Sequence, residues 1–179
     1  MTVSLPTLVS AFEAASDRLR MAMSAGDPEA MFVPLGEALS WAVPLSEQLK
    51  REHFYPETGK EKPRYQSVPW SAHVRRMKGL RFARNMTIHN WQKALFLSNE
   101  PLPAKRAESF FPLPVIPLAE NEPGPDVWCW RPDLKEPDES RNRLLSAAYQ
   151  EQLAGQDAWV ALDSCHGLIQ FARQRAAAI

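Results

Sequence analysis

Within the segment Gly79-Leu80-Arg81-Phe82-Ala83-Arg84-Asn85-Met86-Thr87-Ile88-His89-Asn90-Trp91, three side chains of chemical interest stand together. Arg84 carries a planar fork of donors suited to bidentate contact with an oxyanion such as a phosphate, a geometry that a lysine lacks. His89 is the side chain nearby whose proton is exchanged near neutral pH. Asn85 and His89 are one helical turn apart. Arg84 itself falls among Met77, Leu80, Ile88 and Trp91 when residues are placed at about 100° per position, inside an apolar arc where a structural helix carries leucine or isoleucine. Burying a guanidinium there without a partner is costly, so the arginine calls for a reason.

The surrounding charge supplies one. From Lys62 to Asn99 the chain has no acidic residue, while Lys62, Arg64, Arg75, Arg76, Lys78, Arg81, Arg84 and Lys93 are basic. A local excess of this kind on a chain with 21 basic and 21 acidic residues attracts anions, unless acids from elsewhere in the fold pair with it. Asn85, His89, Lys78, Phe82 and Lys93 are expected on one polar face of the helix. Arg75, Arg76, Lys78, Arg81 and Lys93 are the candidates for gripping a nucleic-acid backbone by charge.

Other chemistry-bearing residues have plainer readings. Cys165-His166 lies beside Leu162 and Ile169 and reads as core packing, because adjacent helical residues diverge too far to act as a nucleophile and base. His53 and His73 read as helix-end or loop residues, with His73, just before Arg75 and Arg76, the better candidate for an anion contact. Trp128 and Trp130, two apart, share one side of a short strand and either pack or stack bases. Cys129 and Cys165 lack zinc-site spacing, and no glycine-rich phosphate loop or Ser/His/Asp pattern occurs. No metal and no other cofactor is implied.

The elements that must position these residues read as helices. Ser4 and Pro6 open a first amphipathic helix that ends near Gly26. Asp27-Pro28 opens a second, through Met31, Leu35, Leu39, Ala42, Leu45 and Leu49 to about His53, with a kink or break expected near Pro44. Residues 54–69 form a loop. A long third helix then carries Met77, Leu80, Ile88, Trp91 and Leu95 inward, with Gly79 marking its start or a bend. Nine of the 16 prolines fall between Pro101 and Pro137, which excludes a continuous helix and predicts an irregular strap over about residues 100–137, with Val127–Trp130 pairing briefly as a strand. A fourth helix spans about Asp138–Ala154 with Leu144, Leu145, Ala148 and Leu153 inward, Gly155 stops it, and Asp157 caps a fifth bearing Leu162, Ile169 and Phe171. The expected fold class is all-α: a four- to five-helix bundle with a proline-rich strap, forming one domain over residues 1–179. Seven glycines against 16 prolines argue against a β-rich fold, which needs glycine in its hairpins.

The pattern Arg84-Asn85-x-x-x-His89 resembles the signature of HEPN domains, an arginine followed by a polar residue and then a histidine four to six positions after the arginine. The family is all-helical, and many members are metal-independent ribonucleases in toxin–antitoxin, abortive-infection and CRISPR systems. The resemblance implies Arg84 and His89 as the catalytic pair, Asn85 as the residue that orients them, RNA as substrate, and a homodimer in which two copies of the motif share a cleft. It also implies a partner that restrains the enzyme, an inhibitor protein or a nucleotidyltransferase-type antitoxin. The strap has no counterpart in the family pattern.

Two rivals remain at this stage. One is a catalytically silent binding module, with Arg84 paired to a buried acid and His89 in open solvent. The other is a bundle that uses Arg84 to grip a small anionic ligand in an apolar pocket. No apolar run approaches the roughly 20 residues of a membrane span and no secretory leader is evident. Together with only two cysteines, these features lead to an expected cytoplasmic location without membrane association.

Overall fold

Serine and proline start the first helix as their chemistry predicts. In the computed structural model, which describes residues 3–54, 70–87, 90–98, 127–134 and 143–177, α1 (Leu5–Ser24) is capped by Ser4 Oγ, which accepts from Thr7 N. Leu8, Phe12, Ala15, Ser16 and Leu19 form its buried stripe. Gly26 takes a left-handed φ of 71°, which glycine adopts without a Cβ clash. Asp27 Oδ1 then accepts from Glu29 N at 2.9 Å and Ala30 N at 3.3 Å, and α2 (Pro28–Leu49) begins.

The expected break at Pro44 is absent: α2 continues through Pro34 and Pro44 to Leu49. Val43 and Leu45 on either side of Pro44 are fully buried, so side-chain packing holds the helical course across one lost hydrogen bond. The change in backbone pattern comes later, as a π-helical turn over Lys50–Phe54.

The third helix, α3 (Trp70–Thr87), is shorter than the apolar period suggests. Asn90 N donates to Thr87 O at 2.9 Å, Trp91–Lys93 form a separate 3-10 turn, and Leu95–Ser98 are a strand, β1. Trp91 and Leu95 are buried as expected, but not as parts of the helix. Leu95, Phe96, Leu97 and Ser98 pair antiparallel with Trp130, Cys129, Trp128 and Val127 of β2 (Val127–Trp130). A distant partner thus decides between strand and helix for a short apolar run that periodicity leaves ambiguous. Gly79 is not the start of α3, which begins at Trp70. A Cβ there would lie 3.1 Å from Tyr149 Cα and 3.2 Å from Ala148 O, so α4 (Arg143–Gln152) approaches α3 closely at this residue.

The strand forecast for Val127–Trp130 holds, although most of the forecast strap lies outside the described residues. The same applies to the forecast loop beyond residue 54 and the first turn of the fourth helix. Trp130 is fully buried, edge-on to Trp91 with ring centroids 6.1 Å apart. Trp128 rests on Phe32 and donates from Nε1 to Pro28 O at 2.8 Å. These are packing contacts. In α4 the inward forecast fails at Leu144, which is 82% exposed, while Ala148, Tyr149 and Leu153 are buried. Gly155, with φ 71°, ends that turn and donates to Trp130 O. Asp157 precedes α5 (Trp159–Ala177), its carbonyl accepting from Val160 N at 3.2 Å. Among the described residues, five α-helices and a two-stranded sheet make a predominantly helical bundle around a continuous apolar core.

Candidate functional site

The basic candidates gather on α3 because its other faces are committed. Met77, Leu80 and Ala83 are buried in the core, and Phe82, expected on the polar face, is fully buried against the Tyr149 ring with centroids 5.4 Å apart. Gly79 brings α4 in close enough for Phe82 to be covered, a requirement that helical spacing alone does not reveal. Lys78, Arg81 and Asn85, spaced by three and four residues, remain as an exposed ridge. Arg75 is exposed and Arg76 half-buried nearer the helix start. Lys93 is exposed but belongs to the separate 3-10 turn, so it is not on the shared helical face forecast for it.

Arg84 lies between the core stripe and this ridge. It is half-buried, and its Nε is buried without a hydrogen-bond partner. Among the described residues no carboxylate pairs with its guanidinium. Its neighbour Arg81, by contrast, meets Glu47 of α2 at 3.2 Å. Asn85, next to Arg84, is open to solvent. His89 lies outside the described residues, as does Ile88. The structure therefore brings Arg84, Asn85, Arg81 and Lys78 to one side of α3, leaves Lys93 on a separate element, and gives no geometry for the Arg84–His89 pair.

Lys50, in the π turn after α2, is a cation that sequence reasoning did not single out. It is half-buried. Burial lowers its pKa to about 8, and the positive charges of Lys78 and Arg81 act in the same direction against the favourable effect of Glu47. The only sequence signal for it is its place one turn beyond Glu47, which becomes informative once α2 is known to lie against α3.

The remaining titratable candidates are structural. Cys165 is fully buried, its Sγ 3.9 Å from Ala42 O, and burial raises its pKa. His166 stacks on Phe12 with ring centroids 4.7 Å apart, and burial depresses its pKa to about 4, followed by the effect of Arg20. Core packing thus accounts for the Cys165-His166 pair. His73 leans on α5, where a Cβ at Gly167 would come within 2.6 Å of its Nε2. Burial, then the charge of Arg76, lowers its pKa, which keeps the imidazole neutral near pH 7 and makes it a poor anion contact. The side chain of His53 is outside the described residues. Among the described residues no group of three or more His, Cys, Asp or Glu side chains is arranged to hold a metal ion, and no helix is long and apolar enough to cross a membrane.

No protein-family model, curated protein or solved structure matches the chain.

Proposed function

We propose that the chain is a metal-independent endoribonuclease of the HEPN type, acting on RNA as a toxin or defence effector. Support comes first from Arg84, a half-buried arginine at the edge of the basic ridge whose Nε has no partner and whose charge no described carboxylate neutralises. An arginine kept at the core margin for structure alone is ordinarily hydrogen-bonded there, since a buried donor left without a partner costs about 1–3 kcal/mol. A guanidinium with no carboxylate partner among the described residues, beside exposed Lys78, Arg81 and Asn85, suits an incoming phosphate instead.

In the proposed reaction the 2′-hydroxyl of the RNA attacks the adjacent phosphate, the 5′-oxygen leaves, and a 2′,3′-cyclic phosphate remains. His89 exchanges the proton, Arg84 stabilises the charge that builds on the phosphate oxygens, and Asn85 orients the pair. The attack uses the substrate's own hydroxyl and requires no metal-bound water. Arg75, Arg76, Lys78, Arg81 and Lys93 hold the flanking backbone. Two chains contribute motifs to one cleft, and a restraining inhibitor or antitoxin covers it.

The test is cleavage of labelled single-stranded RNA and transfer RNA in excess EDTA by wild type, Arg84→Ala and His89→Ala, each confirmed helical by circular dichroism. The expected result is a cyclic phosphate product from wild type and a loss of at least about 100-fold in each variant. An inert wild type that still binds RNA would identify a binding module; equal cleavage by all three would remove Arg84 and His89 from the chemistry.

A further inference from the structure

Four charged side chains from two helices converge beside the proposed active centre. Glu47, in the last turn of α2, and Lys50, the first residue of the π turn that follows, are three residues apart, and Lys78 and Arg81 are one turn apart on α3. The two pairs are joined where Arg81 NH1 meets Glu47 Oε1 at 3.2 Å. Arg81 and Glu47 keep 53% and 38% of their side-chain surface, so an ion can reach the junction. Three cations stand near one carboxylate, an excess of two positive charges, with Lys50 the least exposed of the three.

We propose that Glu47 is an internal stand-in for RNA phosphate: a backbone phosphate displaces its carboxylate from Arg81 and is held jointly by Arg81, Lys78 and Lys50. This deepens the ribonuclease proposal and rests on it for RNA as the ligand. A backbone phosphodiester matches the arginine fork as a carboxylate does and carries the same single negative charge, and its two unesterified oxygens let Arg81 be joined by Lys78 and Lys50. The displacement leaves Glu47 partly exposed, where a free carboxylate is readily solvated. Burial is the main cause that depresses the pKa of Lys50, and the like charges of Lys78 and Arg81 add to it. Glu47 opposes that shift from its own helix, and the buried Cys165 thiol of α5 is the remaining titratable neighbour. Arg84 lies one turn from Arg81 on the same helix, so a strand seated at this junction continues toward it.

The test is binding of a fluorescent 2′-O-methyl oligonucleotide, which lacks the attacking hydroxyl and is not cut, at about pH 6.5, where Lys50 is protonated. Lys50→Gln is expected to weaken binding about fivefold and to make the log–log salt slope shallower, by no more than the roughly 0.7 that one whole single-strand phosphate contact contributes. Lys50→Arg is expected to restore both. Glu47→Gln is expected to tighten binding about threefold, because the competing carboxylate is gone; a role for Glu47 in holding α2 to α3 alone predicts the opposite. Unchanged affinity and slope in Lys50→Gln, weaker binding in Glu47→Gln, or no binding by wild type would overturn the proposal. RNA cleavage by wild type with ordinary binding by Lys50→Gln sinks the phosphate junction but leaves the ribonuclease proposal standing. Lys50-dependent binding with no cleavage of natural RNA does the reverse.

Discussion

At the scale of single residues, Arg84 separates stability from activity. Its Nε is buried and unpartnered, and the core stripe beside it contains Met77, Leu80 and Ala83. Replacing it with leucine exchanges an uncompensated polar group for an apolar one of suitable size, so Arg84→Leu is expected to keep or raise the thermal midpoint, by up to about 1 kcal/mol of stability, while abolishing RNA cleavage. A large drop in midpoint would mean that the guanidinium is a structural anchor. His166 gives a pH dependence of definite sign. Its pKa is about 4 in the folded chain, below the unfolded value near 6.5, so protonation favours unfolding. The stability it protects is complete above the unfolded value and is lost as pH falls toward 4. With its partial solvent exposure taken into account, urea unfolding at pH 5 is expected to show a loss of about 1 kcal/mol relative to pH 7.5, and His166→Leu is expected to reduce that difference.

At the scale of elements, glycine does two different jobs. Gly79 is a packing requirement: a methyl group there meets the Tyr149 backbone at 3.1 Å. Gly79→Ala gains about 1 kcal/mol in helix propensity but forces α3 and α4 apart, and a net loss of about 1–3 kcal/mol in chemical denaturation is expected. Gly155 is a conformational requirement, with φ 71° and nothing within 4 Å of a built Cβ. Gly155→Ala is expected to cost about 1 kcal/mol through the left-handed backbone alone, with no change in packing around α4. Both glycines are visible in the sequence, and the stop at Gly155 follows from its place between two apolar periods. The role of Gly79 does not follow, because nothing local reveals that Ala148 and Tyr149, some 70 residues away, come against it. The same limit explains α3. Trp91 and Leu95 continue its apolar period, yet they are buried through a turn and a strand because Val127–Trp130 offers Leu95–Ser98 a hydrogen-bonding edge.

At the scale of the whole molecule, a chain with no net charge presents a basic ridge. Oligonucleotide binding is therefore expected to depend strongly on salt: with one phosphate at the junction of Lys50, Lys78 and Arg81 and flanking phosphates at Arg75, Arg76 and Lys93, a log–log slope of about −3 is expected in titrations of the 2′-O-methyl probe. A slope near zero would mean that charge is not the source of affinity. The proposed shared cleft makes a further demand, that cleavage-competent protein sediment as a dimer.

Sequence alone determined the helical class, the caps at Ser4 and Asp27, the stops at Gly26 and Gly155, the short strand at Val127–Trp130 and the acid-free basic segment, because each depends on local backbone chemistry or on composition. Periodicity put Arg84 inside the apolar arc of its helix, and the structure moves it to the edge of that arc, half-buried. Tertiary structure alone decided that Pro44 leaves α2 unbroken, that Phe82 faces Tyr149 and not solvent, that Lys93 leaves the α3 face, and that Lys50 and Glu47 stand against Lys78 and Arg81. Each of these depends on which distant segment lies alongside, and the energy of burying or pairing against that segment exceeds the local preference that the sequence displays.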